Sequence, residues 1–420
     1  MSGLGQTTAQ LARQRRLLER FLKAAAAAGP SAAGEAATGR LREVIGFGSN
    51  PGNLRMFVHV PERLPADAPL VVVLHGCTQT AAGYDLGAGW SMLADRYGFA
   101  LLLPEQQRDN NPQGCFNWFR PEDTRRGRGE ALSVEQMVAR MLADHPIDSR
   151  RVFVTGLSAG GAMAAAMLAT YPDVFAGGAV LAGLPYGCAS DVQEALDCMF
   201  QGRSRPAREW GDLVRAASPH RGPWPKLSVW HGSLDTTVVP ANAEELVKQW
   251  IDLHGLGSTP SATDEIDGYP HRVWRNSQGE AVIEAYTITG MAHGTPVAPG
   301  RGEAPHGAAA PFMLDVGIAS SYHIAKFWGL TQGRAGLTQG RAERPAADAR
   351  LEAAAPRDGA AEPSQPERPA EPAGPAAGDA GRAGRTTPLA LDPQEVIARA
   401  LGAAGLLRDR AAKFLGRHRR

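Results

Sequence analysis

Ser158 stands between glycines in Gly156-Leu157-Ser158-Ala159-Gly160, and this spacing is the G-x-S-x-G pattern of serine nucleophiles. The preceding residues, RVFVT, are rich in β-branched side chains and predict a buried strand, whereas the following residues, GAMAAAMLATYP, predict a helix. In that context the pentapeptide is a tight turn that presents the serine hydroxyl above the end of a sheet. Because a chain rich in glycine and alanine also contains this pattern by chance, the interpretation depends on partners elsewhere.

A serine nucleophile needs a histidine as base and a carboxylate that orients the histidine, in the chain order serine, acid, histidine for this arrangement. Asp235 follows the predicted strand in KLSVWHGSLDTTVVP, and His293 follows another in AYTITGMAHGTPV. We therefore predict Ser158, Asp235 and His293 as catalytic residues. The alternatives, for which surface or structural roles are favoured, are Asp264, Asp267, His231, His271, His306 and His323. Of these, His231 is expected to shape the Asp235 loop.

An anionic intermediate needs N–H donors, and two backbone positions are candidates. Ala159 begins the helix behind the serine, and Cys77 follows the apolar strand in LVVVLHGCTQT, so we predict their N–H groups as oxyanion-hole donors. The Cys77 side chain is equally well explained as a small buried hydrophobe. Trp118, in CFNWF, is the predicted substrate contact, although core packing is the favoured role of Trp90, Trp118 and Trp230 alike.

The elements that must position these residues have the pattern of an α/β fold. Apolar runs such as PLVVVLHG and FALLLPE alternate with helical segments, which predicts a mostly parallel central sheet with helices on both faces. The predicted divisions are a helical or flexible extension (1–43), a catalytic domain (44–330), a disordered linker (331–391) and a basic amphipathic helix (392–420). The sequence GLTQGRA occurs twice in tandem where the predicted catalytic domain meets the predicted linker, and the linker contains no aromatic residue. Asp392 is the candidate N-cap of the predicted final helix.

The composition excludes several classes of function. A formal charge of +1 gives no overall field that attracts nucleic acid. The sequence contains no uninterrupted apolar stretch of about 18 residues, so no transmembrane helix is predicted. Arginines interrupt the N-terminal region, so no cleavable signal peptide is predicted. The four cysteines match no close-spaced zinc motif, and we predict neither a metal nor a cofactor.

Several long motifs resemble the polyhydroxybutyrate (PHB) depolymerase family of esterases, which have the α/β-hydrolase fold. They are LHGCTQTAAGYDLGAGWSMLADRYGFALLLPEQ, CFNWF, VFVTGLSAGGAMAAAMLATYPDVFAGGAVLAGLPYG, WHGSLDTTVVPAN and GMAHGTPV, spread between about Arg42 and Leu330. The resemblance implies that Ser158, Asp235 and His293 form the triad and that Cys77 serves the oxyanion hole. It also implies hydrolysis of short-chain 3-hydroxyalkanoate polyesters or oligomers through an acyl-enzyme.

Alternatives remain open at this stage. Related carbohydrate esterases remove feruloyl or acetyl groups on the same framework, and a protein of another class, an inert granule-surface or scaffold protein, would use its terminal helices. The resemblance implies a polyester substrate and an extracellular location, whereas the absence of a visible signal peptide favours the cytoplasm. The basic C-terminal helix is a candidate contact for a granule or partner surface. Disulfides Cys77–Cys115 and Cys188–Cys198 are both conceivable, and their formation would indicate an oxidising compartment.

Overall fold

The computed structural model describes residues 40–300 and 307–332. Ten strands form one sheet in the order β1-β2-β4-β3-β5-β6-β7-β10-β9-β8, and two more form a small parallel pair, β11-β12. The strands are β1 Arg42–Val44, β2 Arg55–His59, β3 Ala68–Leu74, β4 Ala100–Glu105, β5 Ile147–Leu157, β6 Gly177–Leu181, β7 Lys226–Gly232, β8 Ala262–Ile266, β9 Tyr269–Arg275, β10 Ala281–Ile288, β11 Thr295–Val297 and β12 Met313–Asp315.

The six central strands, β4-β3-β5-β6-β7-β10, run parallel to one another, and antiparallel strands flank them on both sides. Strands β3 and β4 are buried along their whole length, as expected for parallel strands covered on both faces. All six central strands end at the same edge, so the loops that follow them are brought together there.

Helices cover both faces of the sheet. They are α1 Ala81–Ala88, α2 Trp90–Tyr97, α3 Pro121–Thr124, α4 Gly129–Asp144, α5 Ala159–Thr170, α6 Val192–Gln201, α7 Ala207–Ala217, α8 Ala241–Leu253 and α9 Ser320–Phe327. Alternate residues of β3 divide between two hydrophobic clusters: Val72 packs with side chains of α4, α5 and α8, and Val71 packs with those of α1, α2 and α9.

The predicted α/β architecture, with a mostly parallel sheet between two helical layers, is therefore confirmed. Strand β1 begins at Arg42, two positions before the predicted start of the catalytic domain. Most of the predicted N-terminal extension, nearly all of the linker and the whole C-terminal helix lie outside the described residues and stay predictions. Within the described ranges, no helix is both long and apolar enough to span a bilayer.

Candidate active site

Ser158 occupies the turn between β5 and α5 with φ 57° and ψ −115°, a conformation that is strained for a residue with a side chain. The glycines around it are required for space: a Cβ at Gly156 would collide with the backbone of Gly160, and a Cβ at Gly160 would collide with the backbone at the end of β3. The Ser158 N–H donates to Leu181 O at 2.9 Å, which ties the turn to the neighbouring strand β6. The sequence-predicted elbow is thus present in the structure.

Asp235 and His293 follow β7 and β10, which are adjacent parallel strands in register at Gly232 and Ile288. A Cβ at Gly232 would collide with the backbone of Met291, so this glycine permits the two loops to approach. His293 Nδ1 lies 2.7 Å from Asp235 Oδ2. Because an ionised carboxylate only accepts hydrogen bonds, Nδ1 carries the proton and Nε2 is the basic nitrogen of the ring.

The electrostatic environment keeps Asp235 ionised. Burial favours the neutral acid, but the charge of His293 and hydrogen bonds from His231 and His293 outweigh it, so the pKa of Asp235 falls below its ordinary value. Its other oxygen, Oδ1, accepts the backbone N–H groups of Thr237 and Val238, both at 2.9 Å. The carboxylate can therefore hold the imidazole in one orientation.

His231 contributes to this arrangement, as the sequence predicts. Its Nε2 lies 2.8 Å from Val238 O and 3.3 Å from Asp235 Oδ2. Since a carbonyl oxygen can only accept, Nε2 carries a proton that is shared between the loop backbone and the carboxylate. His231 therefore helps to fix the conformation of the Asp235 loop and contacts the same carboxylate oxygen as His293.

A small cavity opens beside the serine and encloses about 170 Å³, part of it open to solvent. It is lined by Gly76, Cys77, Gln79, Leu157, Ser158, His293 and Phe312. The structure thus brings Ser158 and His293 to one cavity together with the turn that contains Cys77. Leu74 of β3 is in register with Gly156 of β5, which explains why Cys77 and Ser158 lie side by side.

Sequence reasoning missed two residues that line the cavity. Gln79 Oε1 accepts the Gly76 N–H at 2.8 Å, and its Nε2 donates to Pro311 O at 3.4 Å, so this side chain bridges the two walls. Phe312 has φ 63°, and its ring centroid lies 6.2 Å from that of His293 in an edge-on arrangement. Gln79 is close to the predicted oxyanion residue, a usable signal, whereas the Gly- and Ala-rich sequence before Phe312 carries none.

Cys77 and Cys115 form a disulfide, one of the two pairings that the sequence left open. The bond joins the turn after β3 to the segment that contains Trp118. Cys188 and Cys198 are not bonded to each other, and the Cys198 thiol donates instead to Cys188 O at 2.9 Å.

The alternative acids and histidines pair with one another away from the cavity. His271 lies 2.7 Å from Asp264 and 3.2 Å from Glu284, and His323 lies 2.9 Å from Asp267. These contacts hold the edge strands β8 and β9 to the rest of the fold. His306 lies outside the described residues. In the described ranges, no group of three or more His, Cys, Asp or Glu side chains has an arrangement that could hold a metal ion.

The three tryptophans differ in their environments. Trp90 and Trp230 are fully buried in the core, the role that the sequence analysis favours. Trp118 is half-buried and packs against two hydrophobic clusters, with its ring 5.5 Å from that of Phe119. Because it does not line the cavity beside Ser158, its contact with substrate stays a prediction.

Comparisons with known proteins agree with the geometry. The family described as Esterase PHB depolymerase matches residues 58–265. Poly(3-hydroxyalkanoate) depolymerase C from Paucimonas lemoignei is 53% identical over 291 residues, which make up 69% of this chain and 70% of that protein. Feruloyl esterase B from Thermothelomyces thermophilus is 36% identical over 241 residues, 56% of this chain and 80% of that protein.

A solved structure supports the same assignment. The acetyl xylan esterase from Aspergillus awamori superposes with a TM-score of 0.59 at 27% identity and covers 69% of this chain and 99% of that chain. The similarity therefore extends over nearly all of a complete esterase domain. From the family match and the extent of these similarities, the chain belongs to the Esterase PHB depolymerase family and is a carboxylic ester hydrolase.

Proposed function

We propose that this enzyme hydrolyses short-chain 3-hydroxyalkanoate esters, as oligomers or polymer, through an acyl-enzyme on Ser158. The observation that carries the proposal is that Ser158 and His293 line one cavity while His293 donates to a buried carboxylate, Asp235, at 2.7 Å. This is the arrangement that a serine nucleophile requires. The 53% identity to a poly(3-hydroxyalkanoate) depolymerase supports the choice of substrate.

In the proposed mechanism, Ser158 Oγ attacks the ester carbonyl carbon while its proton passes to His293 Nε2. The backbone N–H groups of Cys77 and Ala159 stabilise the negative oxygen of the tetrahedral intermediate. When the ester bond breaks, the leaving alkoxide takes the proton from His293. Water then attacks the acyl-enzyme with His293 as base, which releases the hydroxy acid and regenerates Ser158.

The lining of the cavity supports a short aliphatic acyl group. The apolar walls provided by Leu157 and Phe312 suit the methyl group of a 3-hydroxybutyryl unit better than a polar sugar.

The Cys77–Cys115 disulfide supports an extracellular site of action, because such bonds persist in oxidising compartments. The substrate that fits this location is a polyester outside the cell. The same disulfide argues against the cytoplasmic alternative.

A hydrolysis panel tests the proposed function. Wild type and Ser158→Ala are compared on the 3-hydroxybutyrate trimer, methyl ferulate and acetylated xylan, with a fluorophosphonate probe as a measure of the reactive serine. We expect the highest kcat/KM on the trimer and loss of both turnover and labelling in Ser158→Ala. Preference for feruloyl or acetyl esters would favour the carbohydrate-esterase alternative, and no labelling of folded wild type would favour the inert scaffold.

A further inference from the structure

Glu130 is a buried acid that the proposed mechanism does not use. It lies in the first turn of α4 and is 1% exposed. Its Oε2 accepts the Asn117 backbone N–H at 2.9 Å, and its Oε1 accepts Asn117 Nδ2 at 2.7 Å and Gln106 Nε2 at 2.5 Å. Three donors from neutral amides therefore converge on one carboxylate.

The orientations of the two side-chain amides are fixed by their other bonds. Gln106 Oε1 accepts Gln107 N at 2.9 Å and Asn110 Nδ2 at 2.7 Å, and Asn117 Oδ1 accepts Asn111 Nδ2 at 3.0 Å. A rotation of either amide by 180° would place donor against donor at these positions. The NH2 groups must therefore point at Glu130, and the ionised carboxylate, which only accepts, is the form that suits three converging donors best.

The segment that Glu130 holds is attached to both sides of Cys77. Gln106 Nε2 also donates to Cys115 O at 3.1 Å, and Cys115 is bonded to Cys77. Gln106 N donates to His75 Nε2 at 3.1 Å, and the opposite ring nitrogen of His75 donates to Gly76 O at 2.8 Å. Beyond Cys77, the Thr78 N–H donates to Gln113 O at 2.7 Å.

We propose that Glu130 is a positioning residue for the oxyanion hole: its carboxylate fixes residues 106–117 and, through them, the Cys77 N–H. This inference rests on the proposed function, in which that N–H stabilises the tetrahedral intermediate. A shift of an N–H donor by a fraction of an ångström reduces the stabilisation of the transition state more than it reduces substrate binding. The reason is that the donor points at negative charge that develops only during the reaction.

The pH dependence of kcat follows from the same contacts. Protonation of Glu130 removes the negative charge that strengthens these bonds and adds a donor where three donors already converge, so it weakens the hold on residues 106–117. Burial and the neighbouring charge of Asp123 on α3 raise the pKa of Glu130 to about 8, although hydrogen bonds from Asn117 and Gln106 lower it. Asp123 also accepts the Glu130 backbone N–H, and the other groups that face the carboxylate, Gln106 and Asn117, are neutral. We expect kcat to rise as the pH increases through about 8, separately from the ionisation of the catalytic base.

Glu130→Gln tests this inference, with p-nitrophenyl acetate as substrate so that the result does not depend on polyester specificity. We expect kcat to fall roughly tenfold to a hundredfold, less than the 10²- to 10³-fold loss from complete removal of an oxyanion donor. KM should stay within about twofold, since ground-state binding is unchanged. The rise in kcat near pH 8 should disappear.

A second variant separates positioning from stability. Ser133→Ala, one turn further along α4, removes the acceptor of the Gly52 N–H at 2.8 Å and should lower Tm while leaving kcat unchanged. The inference is overturned if Glu130→Gln keeps the wild-type kcat and pH profile, or only loses stability as Ser133→Ala does. Failure of the proposed function differs, because it would appear as p-nitrophenyl acetate turnover that survives in Ser158→Ala.

Discussion

Asp235 and His293 are 58 residues apart in the sequence, and their side chains meet at 2.7 Å because the two adjacent strands β7 and β10 end at the same edge of the sheet. The approach of their loops depends on Gly232, where any side chain would collide with the backbone near Met291. His231 also contacts Asp235 Oδ2, and two backbone N–H groups donate to the other carboxylate oxygen, Oδ1. The geometry of the base is thus fixed by backbone packing as well as by the ion pair.

Asp235→Asn is expected to lower kcat roughly 10³- to 10⁴-fold while the protein stays folded. The amide oxygen can keep the bonds from Thr237 and Val238, which leaves the NH2 group facing His293. The ring would then adopt the tautomer with the proton on Nε2, which cannot take a proton from Ser158. Steady-state kinetics on p-nitrophenyl butyrate, with circular dichroism as a check of folding, measures the effect.

Asp264→Asn is the matched control, because Asp264 accepts a hydrogen bond from a different histidine, His271, at 2.7 Å. We expect its kcat to stay within about twofold of wild type, as for substitutions outside the active site. If Asp264→Asn lost activity while Asp235→Asn retained it, the assignment of the triad acid would be wrong.

The stability of the protein should depend on Asp235 in acid. The pKa of this group is lowered in the folded protein, so its ionised form contributes stability above the unfolded pKa of about 3.9 and that contribution is lost as the pH falls through the folded value. Urea unfolding of wild type and Asp235→Asn should give a constant difference in free energy between pH 8 and 5. The difference should shrink below about pH 4, and one that instead grew in acid would contradict the lowered pKa.

The Cys77–Cys115 disulfide is expected to support both stability and activity. It closes a loop across a sequence separation of 38 residues, for which the chain-entropy model gives about 4 kcal/mol. Dithiothreitol, or the variant Cys115→Ala, should lower the urea midpoint and also kcat, because the bond holds the turn that supplies the Cys77 N–H. Alkylation of the unfolded, unreduced protein should modify two cysteines, Cys188 and Cys198, because both are free thiols in the structure.

Cys198→Ala is the control for reduction, since this thiol donates to Cys188 O and does not line the cavity beside Ser158. Its response to dithiothreitol should equal that of wild type. Alkylation of all four cysteines in unreduced protein would show that the Cys77–Cys115 bond does not form.

The proximity of the residues that we propose as catalytic could be predicted, because each follows a strand that the sequence pattern identifies. Apolar runs identify β3, β5 and β7, and the carboxyl ends of parallel strands must meet. Glu130 could not be predicted in this way, because an acid in the first turn of a helix is ordinarily exposed and favoured there by the helix dipole. Its burial results from packing against residues 106–117, which belong to a loop without periodic pattern.

Phe312 was missed for a related reason. It precedes the short strand β12, in a stretch of glycine, alanine and proline that predicts no structure, and its positive φ is unusual for an aromatic residue. Only the tertiary fold places it over the cavity. The sequence pattern therefore predicted which strand ends meet beside Ser158 but not Phe312 and Gln79 in the lining of the cavity.

Phe312→Ala is expected to widen the range of acyl groups that the enzyme accepts. The ring lines the small cavity and lies edge-on to His293, so its removal adds space where the acyl chain must sit without removing any group that takes part in proton transfer. A change of one methylene in an apolar pocket alters specificity by about 10- to 200-fold. We therefore expect kcat/KM for p-nitrophenyl octanoate, relative to the acetate, to rise at least roughly tenfold.

The matched variant is Phe312→Trp, which enlarges the side chain at the same backbone position and should shift the ratio in the opposite direction. Turnover of p-nitrophenyl acetate reports whether the triad survives in both variants, because this acyl group is too short to fill the pocket. If both variants kept the wild-type preference while acetate turnover was unchanged, Phe312 would lie outside the path of the acyl chain. The acyl group would then bind outside the cavity that Phe312 lines, and Trp118, the substrate contact predicted from the sequence, would be the next residue to substitute.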